Sequence, residues 1–148
     1  MIVPRLILGP CTPAESAALA GSWLLLERQT RSGWIDIVSS STGPTVAVLF
    51  GRTDEDTIAA IESFGSVHRA NPDAALVHIQ RSKWSDRDRP RWLAALHDAG
   101  ASLVVGPWME GAAIASIIAG LLQHRTATLL PHDRPAIDLA ASDAEVIA

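Results

Sequence analysis

The residues best suited to bind a charged ligand or partner are concentrated in one stretch, RSKWSDRDRPRW at positions 81–92. It holds five of the 12 basic side chains, two of the five tryptophans and only two acids. The stretch follows a predicted strand, and open parallel sheets bind ligands outside the carboxyl ends of their strands. We therefore predict a binding surface here. The alternative is that Asp86 or Asp88 caps the next helix, the arginines pair with these acids in a solvated loop, and Trp92 belongs to the core.

Cys11 is the single cysteine and the candidate nucleophile. It lies between a predicted strand and the start of a predicted helix, where the helix dipole can lower the pKa of a thiol. No CxGxxxxR-type phosphate loop follows it, and no histidine or aspartate is adjacent in the sequence. We therefore predict that Cys11 is not catalytic.

The five histidines show neither HExxH nor any other metal-ligand spacing. His78 lies in a predicted buried strand and is expected to be a hydrogen-bonded core residue. His97 and His124 lie near predicted helix C-termini, where a cation interacts well with the helix dipole. The sequence thus predicts no catalytic residue, no metal site and no cofactor, in a protein that is not an enzyme.

The composition indicates one soluble domain. The 148 residues are 48% apolar, which is enough to build a core without disulfides or metal ions. A net charge of −4 gives no general attraction to nucleic acid or to an anionic membrane. The N-terminal apolar run is too short for a signal peptide or a membrane span, and the single cysteine fits a cytoplasmic location. We expect a domain over 1–125 and a loosely attached tail over 126–148, in which Leu129-Leu130 or Ile137 to Leu139 can dock.

The first helix has the clearest local signal in the N-terminal part of the chain. Thr12 can cap it, Pro13 suits its first position, and Glu15 completes a capping box, so a helix is predicted over 13–20. The strand before it is Arg5 to Leu8.

The segment 22–44 can be read as a prolonged helix or as a hairpin. Thr30 to Gly33 is a turn cluster, and Trp34 to Val38 alternates in polarity and contains β-branched residues. Only Ser39 to Pro44 separate it from the next strand, and a parallel crossover needs roughly a dozen residues or more. We therefore predict a hairpin of strands 23–27 and 34–38.

From position 45 the sequence predicts three strand–helix units. The last, AGASLVVGPWMEGAAIASIIAGLL, is typical of a buried strand that leads into an amphipathic helix, because a continuous apolar run is followed by isoleucines and leucines three and four residues apart. The predicted strands are 45–50, 75–79 and 102–106, and the predicted helices are the one that Thr53 caps, 90–99 and 109–124.

This arrangement resembles the response-regulator receiver domain, most closely over 45–124. There NPDAALVHIQ is similar to the receiver's approach to its fourth strand, and ALHDAGASLVVGPW to its helix–loop–strand that ends in a Lys-Pro pair. The resemblance implies a flavodoxin-like α/β fold, with an open parallel sheet in the order 2-1-3-4-5 and helices on both faces. In this chain we expect the second crossover helix to be missing and replaced by an antiparallel edge strand.

The residues that the receiver family uses for phosphotransfer are absent from the matching positions. The family has an acidic pair that holds Mg²⁺ after the first strand, a phosphoacceptor aspartate at the end of the third, a Ser/Thr after the fourth, and a lysine before the proline. Here these positions hold Gly9-Pro10-Cys11, Phe50-Gly51, Gln80 and Gly106. Asp54 lies three or four residues too late and starts a helix. The resemblance therefore implies a degenerate receiver without aspartyl-phosphate chemistry.

We predict a non-catalytic, receiver-like signalling or protein-interaction module that acts through its C-terminal strand edge and last helices. The alternative is a small ligand- or anion-binding protein, or an enzyme, that uses the same edge. Nucleic-acid binding through 81–92 has suitable cations and aromatics but the wrong overall charge. The predicted binding residues, for an interface or an anion, are Arg52, Arg81, Lys83, Trp84, Arg87, Arg89, Arg91, Pro107, Trp108 and Met109.

The predicted partner is another protein or a second copy, in a homodimer formed through 90–124. Trp108 and Met109 can anchor such an interface or cover the strand ends as core. The arginines of 87–91, opposite Asp98 and Glu110, can set its register. Replacement Trp108→Ala is expected to weaken the dimer by on the order of 2 kcal/mol.

Overall fold

A five-stranded parallel sheet lies between two layers of helices in the computed structural model, which describes residues 3–107 and 109–129. Strands and helices alternate along the whole described chain. In order they are β1 (Arg5–Leu8), α1 (Pro13–Ala18), β2 (Leu24–Glu27), α2 (Arg31–Ser40), β3 (Thr45–Gly51), α3 (Asp54–Ala70), β4 (Ala75–Gln80), α4 (Arg89–Asp98), β5 (Ala101–Val105) and α5 (Gly111–Leu129).

The strand order β2-β1-β3-β4-β5 confirms the predicted flavodoxin-like sheet. All four neighbouring pairs are parallel, and β3 is buried along its whole length, as a strand covered on both faces must be. Successive side chains of a strand point to opposite faces, so each central strand contributes to two cores. Val48 of β3, for example, faces α1 and α5, whereas Leu49 faces α2, α3 and α4.

The predicted hairpin over 23–38 is wrong. Strand β2 runs parallel to β1, with Arg5 opposite Leu24, and the segment expected to be an antiparallel strand is helix α2. The second crossover helix is therefore present. It occupies the turn cluster and the following β-branched stretch, and the whole connection from β2 to β3 provides the length that a parallel crossover needs.

Burial explains why this segment is helical despite its β-branched residues. Trp34 and Val38 are both completely buried against β1 and α3, and they are four residues apart, on one face of a helix. Thr30 begins the helix, because its side chain accepts a hydrogen bond from the backbone N–H of Gly33 at 3.0 Å. A short alternating run fits a strand or a buried helix equally, and the tertiary packing decided in favour of the helix.

The other elements lie close to their predicted bounds. The capping box of α1 is formed as predicted, although the helix ends at Ala18. Helix α5 continues to Leu129, past the predicted tail boundary at 125. The suggested docking involves Leu130 or 137–139, which lie outside the described residues, as does Trp108. Among the helices of the described chain, none combines the length and apolarity needed to cross a membrane.

Candidate functional site

A cleft of about 490 Å³ opens at the C-terminal edge of the sheet, between α1 and the junction of β5 with α5. Its base is apolar, with Phe50 at the end of β3 and Ile79 at the end of β4. Open parallel sheets bind ligands at this edge, where helices that follow neighbouring strands lie on opposite faces. The lining residues are Thr12, Ala14, Glu15, Ala18, Leu19, Phe50, Arg52, Ile79, Arg81, Pro107, Met109, Gly111 and Ile114.

Three charged side chains meet in this cleft. Arg52 follows β3 directly, Arg81 follows β4 directly, and Glu15 lies in the first turn of α1. Both arginines form salt bridges to Glu15, Arg52 to its Oε1 and Arg81 through Nε to its Oε2 at 3.3 Å. The Glu15 side chain is only 9% exposed, whereas those of Arg52 and Arg81 are 41% and 45% exposed. One sequestered carboxylate therefore orients two guanidinium groups that remain accessible.

Backbone and capping contacts hold these three residues in place. The backbone N–H of Arg81 donates to the carbonyl of Gly51 at 2.7 Å, and that of Arg52 donates to Asp56 Oδ2 at 2.8 Å. Glu15 Oε1 also accepts the backbone N–H of Thr12 at 2.8 Å in the capping box. The first turn of a six-residue helix thus bridges the ends of two strands.

The opposite face of the same strand ends carries a buried polar network. His78 is fully buried, and its Nε2 lies 2.8 Å from Gln80 Oε1. Thr57 Oγ1 donates to the same oxygen at 3.2 Å, and Gln80 Nε2 donates to Ser82 Oγ at 2.9 Å. Because Gln80 Oε1 is an acceptor, His78 carries its proton on Nε2. This confirms His78 as a hydrogen-bonded core histidine.

Trp84 seals this network from solvent. Its ring stacks on that of His78, with centroids 6.1 Å apart and planes 5° from parallel. The ring of Trp92 also stacks on Trp84, with centroids 6.4 Å apart. Trp84 is only 4% exposed. Burial lowers the pKa of His78 below its ordinary value of 6.5, partly offset by the hydrogen bond with Gln80 and by the charge of Asp56. His78 is therefore neutral at physiological pH.

Cys11 lies beside the cleft but has no property of a nucleophile. Its Sγ lies 3.6 Å from Glu27 Oε1. Partial burial and the Glu27 carboxylate raise the pKa of the thiol to about 11, the opposite of the lowering that a helix N-terminus can produce. The thiol is therefore protonated at neutral pH, and the thiolate is the form that attacks.

The structure divides the predicted binding residues among several places. Arg52, Arg81, Pro107 and Met109 line the cleft together, whereas Trp84 is part of the core and is not a surface residue. Of the other basic residues, Arg89 pairs with Asp86 at 3.2 Å and Arg91 with Asp88 at 3.8 Å, as the alternative interpretation expected. The remaining members, Lys83 and Arg87, are exposed.

Asp88 holds the N-cap position of α4, but its side chain makes no capping hydrogen bond. The hydroxyl of Ser85 instead accepts the backbone N–H of Asp88 at 3.1 Å. A smaller cleft of about 250 Å³ lies on this helix, lined by Asp88, Arg91, Trp92 and Ala95.

Sequence reasoning missed the role of Glu15. Its spacing from Thr12 identified it only as a capping residue, and nothing local indicates that Arg52 and Arg81 reach it from distant parts of the chain. Chain order could have indicated this role, because a capping glutamate after β1 must lie at the same sheet edge as residues that follow the parallel strands β3 and β4.

The residues of this edge do not fit the Mg²⁺ that the receiver family binds. Magnesium takes oxygen ligands and needs carboxylates free to coordinate it. Of the residues that the structure describes, Glu15 is the one carboxylate in the cleft lining, and both of its oxygens already accept from guanidinium groups. Within the described ranges, no group of three or more His, Cys, Asp and Glu side chains could hold a metal ion.

Several solved structures share the fold of this chain at low sequence identity. A LuxR family DNA-binding response regulator from Silicibacter pomeroyi is 13% identical, with a TM-score of 0.62 over 82% of this chain and 93% of that one. A CheY-like response regulator receiver domain protein from Methanospirillum hungatei JF-1 is 11% identical, with a TM-score of 0.64 over 83% and 96%. The signal receiver domain of an HD domain-containing protein from Pseudomonas fluorescens Pf-5 is 8% identical, with a TM-score of 0.65 over 83% and 97%.

No family model matches the sequence, and no curated protein matches it significantly. At these identities the likeness concerns the fold, which agrees with the strand order and the alternation of elements. The chain therefore has the flavodoxin-like α/β fold of CheY-like receiver domains.

Proposed function

We propose that this protein is a non-catalytic signalling module that is not phosphorylated and that acts by contacting another protein. The observation that carries the proposal is the charge at the edge where β3 and β4 end. A receiver gathers carboxylates there, whereas this chain gathers Arg52 and Arg81 around a single, already paired Glu15. Such a site attracts anions and does not concentrate Mg²⁺.

The residues at the matching positions support the same proposal. Strand β3 ends in Phe50-Gly51, neither of which can accept a phosphoryl group, and Gly106 stands where the family has lysine. Asp54 begins α3, where a carboxylate interacts favourably with the helix dipole. We therefore interpret Asp54 as a helix-terminal residue and not as a displaced phosphoacceptor.

Incubation with acetyl phosphate and Mg²⁺, followed by intact-mass spectrometry, tests this proposal. We expect no phosphoryl adduct on the wild type, and a receiver domain that has the phosphoacceptor aspartate should be modified when treated in parallel. A mass increase of one phosphoryl group that hydroxylamine removes, as it removes an acyl phosphate, would overturn the proposal whichever carboxylate carries it.

We place the protein contact on the face formed by α4, β5 and α5, within residues 90–124. The half-buried Trp92 beside the smaller cleft offers an apolar anchor, and the Arg91 side chain is 81% exposed. Exposed Asp98 and Glu110 provide the opposite charge that a self-complementary, two-fold interface requires. The first residues of α5, Gly111 to Ala113, are small and exposed, which permits close approach of a second copy.

Sedimentation velocity tests this homodimer. We expect the wild type to associate, and Arg91→Glu to weaken association more than Arg31→Glu, which makes the same charge change at α2, beside β1. A wild type that remains monomeric at high concentration rules out the dimer. Equal effects of the two variants would show that the change in net charge weakens association, and that Arg91 is not part of the interface.

A second candidate function is the binding of a small anion in the cleft between α1 and α5. Its support is the pair of accessible guanidinium groups in a concave site whose volume of about 490 Å³ is in the range of ligand pockets. A thermal-shift screen with nucleotides, flavins and sugar phosphates tests it broadly. No stabilisation by any of them counts against these ligand classes.

A further inference from the structure

The cleft between α1 and α5 combines two features that together select one class of ligand. Among the described residues, the charged side chains of the lining are Arg52, Arg81 and Glu15, all on one wall, with a formal sum of one positive charge. The base and the other wall are apolar. The apolar residues are Leu19, Phe50, Ile79, Met109 and Ile114.

The two guanidinium groups have unused hydrogen-bond donors. Each arginine has five N–H groups, and within the described part of the chain the salt bridges of both side chains are to Glu15 alone. Arg52 also lies over the Phe50 ring, with Cζ 6.0 Å from the centroid, so one of the charges borders the apolar base directly. Arginine donors arranged in this way suit the oxygens of a carboxylate or a phosphate.

Two nearby carboxylates, Asp56 and Glu27, lie outside the lining of the cleft. Asp56 accepts the backbone N–H of Arg52, and together with Arg52 it lines a separate depression on the α3 side of the sheet. Glu27 lies against Cys11 and is not part of the cleft lining. Within the described lining, an anion that enters the cleft therefore meets one carboxylate, that of Glu15, whose side chain is only 9% exposed and pairs with both arginines.

We infer that this cleft binds a small amphiphilic organic anion, with its carboxylate or phosphate head group between Arg52 and Arg81 and its apolar body on Phe50, Ile79 and Ile114. This inference rests on the second candidate function, anion binding in the cleft, and adds the apolar body to it. The cleft shares Gly111 with the proposed protein contact on α4, β5 and α5, but neither Arg52 nor Arg81 belongs to that contact.

Isothermal titration calorimetry with octanoate and octyl phosphate tests the inference. Octanol serves as the neutral probe of the same chain length, and acetate and inorganic phosphate serve as anions without an apolar body. We expect octanoate or octyl phosphate to bind with a Kd below about 1 mM, and the other three probes to bind about tenfold more weakly or worse. The tighter of the two amphiphiles identifies the preferred head group.

Variants then locate the site. The double variant Arg52→Gln/Arg81→Gln should lose about tenfold or more in affinity, because both charged donors are removed. Arg69→Gln makes the same chemical change on an exposed arginine of α3 outside the cleft and should retain wild-type affinity. Circular dichroism melts confirm that the variants are folded.

The outcomes separate the inference from the function on which it depends. If acetate or inorganic phosphate binds as tightly as the amphiphiles, the inference that the cleft recognises an apolar body is refuted, and anion binding stands. If octanol binds as tightly as octanoate, or if Arg69→Gln loses as much affinity as the double variant, the head-group site is refuted. If none of the five probes binds, both the inference and anion binding in the cleft are refuted.

Discussion

The two faces of the sheet differ most where β3 and β4 end. On the face with α1 and α5, the strand ends open into a cleft with accessible charges, Arg52 and Arg81. On the face with α3 and α4, the same strand ends carry His78 and Gln80, sealed beneath Trp84. The sealed side is held by internal hydrogen bonds and ring contacts, although His78 Nδ1 and Trp84 Nε1 are buried there without a hydrogen-bond partner among the described residues. The open side instead has two guanidinium groups that are accessible to solvent.

The alternation of β4 produces this contrast. Ile79 points to the cleft, and its neighbours His78 and Gln80 point to the buried network. In the loop that follows, the guanidinium group of Arg81 lines the cleft on one face of the sheet. Three residues later, Trp84 is buried on the other face. The buried network and the charged cleft thus lie on opposite faces of one strand end. The role of the network in stability and the proposed role of the cleft in binding can therefore be tested separately.

Removal of the seal should have the largest effect. We expect Trp84→Ala to lower the free energy of unfolding by about 3–5 kcal/mol, because a large buried ring leaves a cavity over His78. Urea unfolding measures the loss. Trp84→Phe should recover part of it, and Trp92→Ala, at a half-buried ring, should cost less. Equal losses for Trp84→Ala and Trp92→Ala would show that Trp84 does not seal the network.

Addition of one methyl group at Gly51 should have the next largest effect. A Cβ at this position would lie 2.6 Å from Gln80 Oε1 and 2.7 Å from His78 Cε1, so Gly51→Ala should destabilise the fold by about 1–3 kcal/mol. The matched control is Gly65→Ala in α3, where the nearest atom to an added Cβ is 3.7 Å away, on the flexible end of Arg69. That control should be neutral or stabilising, since alanine favours helix. If Gly51→Ala is as well tolerated as the control, the sealed side is not tightly packed.

The sealed side should also make stability depend on pH. The pKa of His78 is lowered in the folded state by burial, so below about pH 6.5 the unfolded chain binds a proton that the folded chain does not. Above pH 6.5 His78 is neutral in both states, and its contribution to the free energy of unfolding is complete. As the pH decreases below 6.5, the free energy of unfolding should fall by at most about 1.4 kcal/mol per pH unit.

Denaturant titrations of wild type and His78→Leu between pH 7.5 and pH 5.5 measure this slope. His78→Leu should lack the part of this pH dependence that comes from the titration of His78, even if its free energy of unfolding differs from that of the wild type at every pH. Parallel curves for the two proteins would show that the folded and unfolded states bind protons at residue 78 equally.

The open side should contribute least to stability. The two arginines that pair with Glu15 are 41% and 45% exposed, and partly solvated ion pairs contribute roughly 0.2–1 kcal/mol. A double-mutant cycle with Glu15→Gln and Arg52→Gln should therefore give a coupling free energy below about 1 kcal/mol. A coupling well above that would make the charged cluster a structural clamp and would remove the contrast between the two faces.

The second half of the fold was predictable because its signals are local. The capping threonine of α3, the continuous apolar strands and the three- and four-residue spacing in α5 lie within short windows, and each agrees with the tertiary structure. The region 22–44 was not predictable in the same way. Its turn-like and β-branched residues favour a hairpin locally, and only the burial of Trp34 against Phe64 and β1 makes it a crossover helix.

The candidate site shows the same division. Chain order and local spacing are enough to predict that Arg52 and Arg81 follow neighbouring parallel strands and that Glu15 occupies a capping position. That the three charges meet, and that Trp84 turns inward while Arg81 remains accessible, became visible only in the folded chain. Side chains far apart in sequence come together through strand order and the packing of opposite sheet faces, and no single segment encodes either of these.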